Sequence, residues 1–176
     1  MTNPIGSAPL LPQGHTTTLD DAMSEPLIPG LHVSEAALHL NDLVGMAFAA
    51  HAPSGHELVL DTGPDAGRDS GFRPLELLLV ALGGCTGMDV IAILRKKRQV
   101  VTDYRVRVAG VQAQEHPHVY TAIVVQHIVS GPALDPAAVA RAVELSAGKY
   151  CPVNAMLARA CPVTHQYRIV SSNAVG

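Results

Sequence analysis

Hydrophobic and polar positions alternate along parts of this chain and recur at helical spacing along others. Tyr104, Val106 and Val108 alternate with Arg105 and Arg107, the period of a half-buried strand, and Val119 to Val129 supplies a second run after Glu115-His116-Pro117-His118. The pair predicts a hairpin. Upstream, Ala36–Leu40, Val44–Ala50 and Glu57–Leu60 are short β-like runs separated by Asn41-Asp42 and Pro53-Ser54-Gly55, turn signals that predict a meander. The Gly-, Asp- and Pro-rich segment from Asp61 to Arg73 predicts a loop. Pro74 then opens a helix, where its missing N–H costs nothing, and the pattern carries that helix to Gln99. Its first half is apolar all round. Leu77 to Met88 carries no charge, falls short of the roughly 20 residues of a membrane span, and reads as a buried core helix. The second half is amphipathic, with Val90, Ile91 and Leu94 inward and Arg95-Lys96-Lys97-Arg98 at the end where the helix dipole favours cations. Gly83, Gly84 and Gly87 surround Cys85 and predict a kink or the close approach of another backbone. Asp135-Pro136 is a cap followed by proline, with an apolar face through Val139, Ala142, Val143 and Leu145. Cys151-Pro152 repeats the arrangement for a further helix that Pro162 stops, leaving Val163 to Val170 as a last strand.

These elements make an α+β protein, and composition places it among ordinary globular domains. With 176 residues, 48% of them hydrophobic, the chain suits one domain with a substantial core. Residues 1–33 carry Pro4, Pro9, Pro12, Pro26 and Pro29 without periodicity and read as an extended or partly disordered arm; residues 34–176 form the single domain. Aromatic residues are 3%, Trp is absent and the formal net charge is -3, which argues against both a base-stacking platform and a phosphate-tracking surface. No nucleic acid partner is expected. The N-terminus has neither a basic start nor an apolar signal core, so a cytoplasmic location without membrane attachment is expected.

Cys85, Cys151 and Cys161 are odd in number and too scattered for a disulfide framework, and none forms a C-x-x-C pair. Reduced thiols are expected, with no metal and no cofactor. Nucleophilic chemistry at a cysteine requires a thiolate, which a thiol with pKa near 8.5 supplies to only roughly a few per cent at neutral pH unless positive potential helps. Cys151, capping the helix that begins at Pro152, would face the positive end of its dipole. Cys85 lies inside a helix and needs a cation from elsewhere, for which Arg68 and Arg73 in the preceding loop are the local candidates. A free Cys also serves often as a small buried hydrophobe, the role assigned to Cys161 between Ala160 and Pro162. Glu76 opens the apolar helix, complementing its positive end, binding a substrate oxygen or holding an arginine. His116 and His118 lack metal-ligand partners at familiar spacing and read as a solvated hairpin tip.

Pro74-Leu-Glu-Leu-Leu-Leu-Val-Ala-Leu-Gly-Gly-Cys85-Thr-Gly-Met-Asp89, then Ile93-Leu-Arg-Lys-Lys-Arg-Gln99 and Leu145-Ser-Ala-Gly-Lys-Tyr-Cys151-Pro-Val153, resemble the OsmC/Ohr superfamily and, within it, the OsmC-like branch with Gly-Gly-Cys. The resemblance covers about residues 43 to 171. It implies an OsmC-like fold, sheets wrapped around central cysteine-bearing helices in an intertwined homodimer. It also implies a thiol-dependent peroxidase of oxidative-stress defence that reduces organic hydroperoxides or hydrogen peroxide. By position Cys85 matches the peroxidatic residue and Cys151 the resolving one, with a dithiol reductant, lipoyl groups in the best-known branch, reopening the disulfide. Two departures stand out. Ser54-Gly55-His56 offers no arginine where the family peroxidases carry one, and the family glutamate aligns with Leu75, one place before Glu76. His56, Arg68 and Arg73 are candidate replacements for the cation. The alternative is a non-enzymatic dimer of the same fold that binds a small apolar ligand or senses oxidation.

Overall fold

The computed structural model describes residues 36–40 and 45–171. Strands β1 (Ala37–Leu40), β2 (Phe48–His51) and β3 (Glu57–Leu60) form an antiparallel meander in the order β1-β2-β3. The expected arm, residues 1–33, and the start of the second β-like run lie outside the described residues. Helix α1 (Pro74–Lys96) follows, then β4 (Asp103–Gln112), β5 (Tyr120–Gly131), α2 (Pro136–Leu145), a π-helical turn (Ser146–Tyr150), α3 (Pro152–Leu157) and β6 (Val163–Ser171). The second sheet has the order β4-β5-β6, with β4 and β5 a hairpin and β6 parallel to β5. Two sheets and helices realise the expected α+β class.

The loop from Asp61 to Arg73 is organised by one carboxylate. Asp61 is buried and accepts hydrogen bonds from the Ser70 hydroxyl and from the backbone N–H groups of Thr62, Arg68 and Ser70. The Ser70 bonds, followed by those of Thr62 and Arg68, hold the Asp61 carboxyl down to about 2 despite burial. Gly67 packs so tightly against this group that a Cβ there would collide with the Asp61 carboxylate.

α1 begins at Pro74, and Glu76 serves its first turn by accepting from the Arg73 N–H at 3.0 Å and the Arg73 guanidinium at 3.1 Å. One side of the helix is core. Val90 and Leu94 are fully buried with Val129, Val139, Ala142 and Val143, and Leu82 packs with Ile123, Val125, Cys151 and Cys161. The other side is apolar but open: Val80 is 52% and Met88 73% exposed, so the stretch from Leu77 to Met88 is not the helix buried all round that its composition predicts. By length and hydropathy α1 is also long and apolar enough to cross a membrane, which the 12-residue uncharged stretch alone did not suggest.

The glycines around Cys85 produce close approach rather than a break in the helix. A Cβ at Gly83 would lie 3.1 Å from Val108 and one at Gly87 3.4 Å from Val106, so α1 runs unbroken while pressed against β4. On β5 the inward face is Ile123, Val125, His127 and Val129, each buried, in strict alternation with the other face. One of those four is a histidine.

Candidate functional site

Two sulfur atoms distant in sequence meet at the centre of the fold. Cys85, midway along α1, is half-buried, and Cys151, between the π-helical turn and α3, is buried; both are free thiols with Sγ atoms 2.6 Å apart. Cys151 reaches this place because it is the N-cap of α3: Pro152 takes the first helical position, and the Cys151 sulfur accepts the Asn154 N–H at 3.3 Å. The expected benefit of that dipole does not prevail. α3 is only six residues long, and burial, the neighbouring Cys85 sulfur and the Asp89 carboxylate push the Cys151 thiol up to about 11, against the Asn154 N–H that pulls it down. Cys151 is therefore held as a thiol, with its S–H within reach of the Cys85 sulfur.

Asp89 completes the group from one helical turn beyond Cys85. Its carboxylate and the two sulfurs offer donor atoms within 4.8 Å of one another. Two sulfurs and a carboxylate at this separation are a set that could hold a metal ion once the thiols lose their protons, a grouping the cysteine spacing in sequence did not suggest. Ser146, in the π-helical turn, donates its hydroxyl to Asp89 at 2.9 Å; that hydroxyl has one proton, so Thr86 is the donor in the 2.8 Å contact between Thr86 and Ser146. These bonds tie the turn before Cys151 to the helix that carries Cys85.

The remaining candidates fall elsewhere. Arg73 spans Asp69 at 2.9 Å and Glu76 at 3.1 Å, nine residues or more before Cys85, about 13 Å along the helix axis for Glu76. Arg73 and Glu76 are thus brought to each other, and they line a cavity of about 380 Å³ with Tyr120, whose hydroxyl donates to the Leu75 carbonyl at 3.0 Å. Arg68 gives its backbone N–H to Asp61. His56 sits in the exposed β2–β3 turn, its carbonyl accepting from the Ala52 N–H. Cys161 is buried and packs in the cluster around Leu82 and Cys151, in keeping with a hydrophobic role.

A family model described as OsmC-like protein matches residues 67–166, a segment that contains both cysteines of the pair. The chain belongs to the OsmC-like family. Protein YhfA of Escherichia coli is 41% identical over 128 residues, 73% of this chain and 93% of that protein. A crystal structure of a hypothetical protein from Aquifex aeolicus aligns with a TM-score of 0.70 at 30% identity, covering 81% of this chain and all of that one. The organic hydroperoxide resistance protein OhrB of Bacillus subtilis aligns with a TM-score of 0.53 at 15% identity, covering 78% of this chain and 98% of that one, a likeness of fold.

Sequence reasoning singled out the two thiols that meet here but not their neighbours Asp89, Ser146 and Asn154. Asp89 had a signal, since a residue four places after Cys85 shares its helical face. Ser146 and Asn154 had none, because a π-helical turn between two proline-capped segments leaves no periodic trace.

Proposed function

We propose that this OsmC-like protein is a thiol-dependent peroxidase that reduces organic hydroperoxides or hydrogen peroxide through Cys85 and Cys151. The observation that carries the reading is the 2.6 Å approach of the two sulfurs, with Cys151 held as the proton donor. The Cys85 thiolate attacks the distal peroxide oxygen, the O–O bond breaks, and the alkoxide or hydroxide leaves with a proton as alcohol or water. Cys85 becomes a sulfenic acid. The Cys151 sulfur then attacks it, the S–S bond forms, the S–O bond breaks, and hydroxide leaves with the Cys151 proton as water. An external dithiol, such as a lipoyl group, supplies two electrons and two protons to restore both thiols. No cofactor is needed.

The homodimer belongs to the same proposal. Val80 and Met88 expose apolar surface on α1, the helix that carries Cys85, the meander adds exposed Phe48, Leu58 and Val59, and a second copy is the occupant that the family fold favours. The half-exposed Cys85 then opens toward the interface, where the partner can supply the cation that Arg73, committed to Asp69 and Glu76, does not bring to the thiols. A second reading, a dimer that binds a small apolar ligand or senses oxidation, is favoured by one feature: the charged group nearest the sulfurs is the Asp89 carboxylate, which opposes thiolate formation.

Stopped-flow measurement of thiol loss separates the two. Fully reduced wild type mixed with cumene hydroperoxide or hydrogen peroxide should lose two thiols per chain rapidly and form the Cys85–Cys151 disulfide, and Cys85→Ser should not. Oxidation no faster than that of free cysteine, and indifferent to Cys85→Ser, would leave the binding reading in its place.

A further inference from the structure

Four polar side chains run in single file from the second sheet to α3, the helix that Cys151 caps. Tyr104 on β4 meets His127 on β5, hydroxyl to Nδ1, at 2.7 Å. His127 Nε2 meets His165 Nδ1 on β6 at 3.3 Å, and His165 Nε2 meets Asn154 Oδ1 on α3 at 2.9 Å. Asn154 Nδ2 ends the row on the Ala147 carbonyl in the π-helical turn, at 2.7 Å. His127 is wholly buried between Val125 and Val129, so its own ring proton needs an acceptor within the row.

The Ala147 carbonyl decides the direction of every bond. A carbonyl only accepts, so the Asn154 NH₂ faces it and the Asn154 oxygen faces His165. That oxygen also only accepts, so His165 carries its proton on Nε2 and, as a neutral ring, accepts on Nδ1. His127 must then donate from Nε2 and accept on Nδ1, which makes Tyr104 the donor at the far end. A second proton on His165 would force His127 into its other tautomer, with Nδ1–H turned toward the Tyr104 oxygen, and so reverse that half of the row. Burial holds both imidazoles below their ordinary range, in His127 with the added effect of His165, in agreement with that geometry.

We infer that Tyr104, His127, His165 and Asn154 form one directed, uncharged hydrogen-bond chain that positions the Cys151 turn against Cys85. Asn154 is the working end. Its Nδ2 holds Ala147, four residues before Cys151, its own backbone N–H caps the Cys151 sulfur, and its Oδ1 fastens both to the sheet through His165. These are positioning residues, since none but Asn154 touches a sulfur. The inference rests on Cys85 and Cys151 working as a pair, but not on peroxide as the oxidant.

The direction of the chain is tested in wild-type protein by nitrogen-15 NMR of the imidazoles at neutral pH. Both His127 and His165 should be neutral with the proton on Nε2; a proton on Nδ1 of either ring, or an imidazolium, overturns the assignment. The positioning is tested with diamide, which takes up the two electrons and two protons released when the thiols close to a disulfide. His165→Leu should close about tenfold more slowly or worse, because small misplacements of a reacting group carry penalties of this order. Alkylation of Cys85 by iodoacetamide should be unchanged. His165→Gln, whose amide can accept from His127 and donate to Asn154, should restore closure to near the wild-type rate. If His165→Leu fails to fold, Asn154→Ala takes its place, with the same slowed closure expected. Closure as fast as in wild type in the folded variant, or slowing that the glutamine does not reverse, overturns the inference. Normal diamide closure without any reaction with peroxide would overturn the peroxidase reading and leave the chain standing.

Discussion

Cys85 stands in the middle of a 23-residue helix, whereas Cys151 stands in a break between a π-helical turn and a six-residue helix. Cys85 is located by secondary structure: α1 is continuous and is anchored on its core side by Leu82, Val90 and Leu94, each fully buried. Cys151 has little regular structure around it and is located by polar side chains. Ser146 fastens the turn before it to Asp89, and Asn154 fastens the turn and the sulfur to His165. The difference has a physical logic. A residue within a helix inherits its direction from hydrogen bonds along the whole element, whereas a residue at a break must be placed by bonds made one at a time, each needing a partner of the right sign. In the proposed chemistry the same difference would divide the labour of the pair, with Cys85 attacking from a continuous helix and Cys151 resolving from a segment held by single side-chain bonds.

The comparison is broken most severely on the Cys85 side. Leu82→Ala opens a cavity under α1 among Ile123, Val125, Cys151 and Cys161, and should destabilise the fold by about 2–5 kcal/mol, read as a lower urea midpoint with an unchanged slope.

The Cys151 side breaks with acid. His127 has its pKa pushed down to about 4 from the usual 6.5, mainly by burial and then by His165. The unfolded chain thus takes up its proton near 6.5 and the folded chain only near 4. The stability from a neutral His127 is complete above about pH 6.5 and is lost as pH falls from there toward about 4. The loss should be about 3 kcal/mol, visible in urea midpoints across that window and smaller in His127→Gln. Asp61 falls outside this window, because its carboxyl is held down to about 2 and its contribution is lost only in stronger acid.

Asp89→Asn sharpens the contrast without disturbing the core. The carboxylate is the least of the causes that raise the Cys151 thiol, so its removal should bring Cys151 modestly below about 11, measured as a shift in the pH profile of residue-resolved alkylation. The smallest effect belongs to Arg73→Ala. Its ion pairs with Asp69 and Glu76 are exposed, so the change should cost at most about 1 kcal/mol and leave the alkylation rate of Cys85 where it was. A slower Cys85 would instead restore Arg73 as the cation of the site.

Much of this protein was legible in its sequence. Alternation along Tyr104–Val108 and Val119–Val129, the cap-and-proline starts at Asp135 and Cys151, and Pro74 before an apolar run placed nearly every described element, because these signals act within a few residues of themselves. Gly83 and Gly87 announced close packing on α1, and the two thiols with their motifs announced the family. What tertiary structure alone decided is where polar atoms meet. The exposed face of α1 could not be separated from its buried face when both are apolar, since hydrophobicity does not say which side finds a partner within one chain. The burial that overrides the short dipole at Cys151 comes from neighbours remote in sequence. His127 and His165, lost among nine histidines in the sequence, acquire defined protons only when three strands and a helix bring them between Tyr104 and Asn154, because the direction of a hydrogen-bond chain depends on both of its ends.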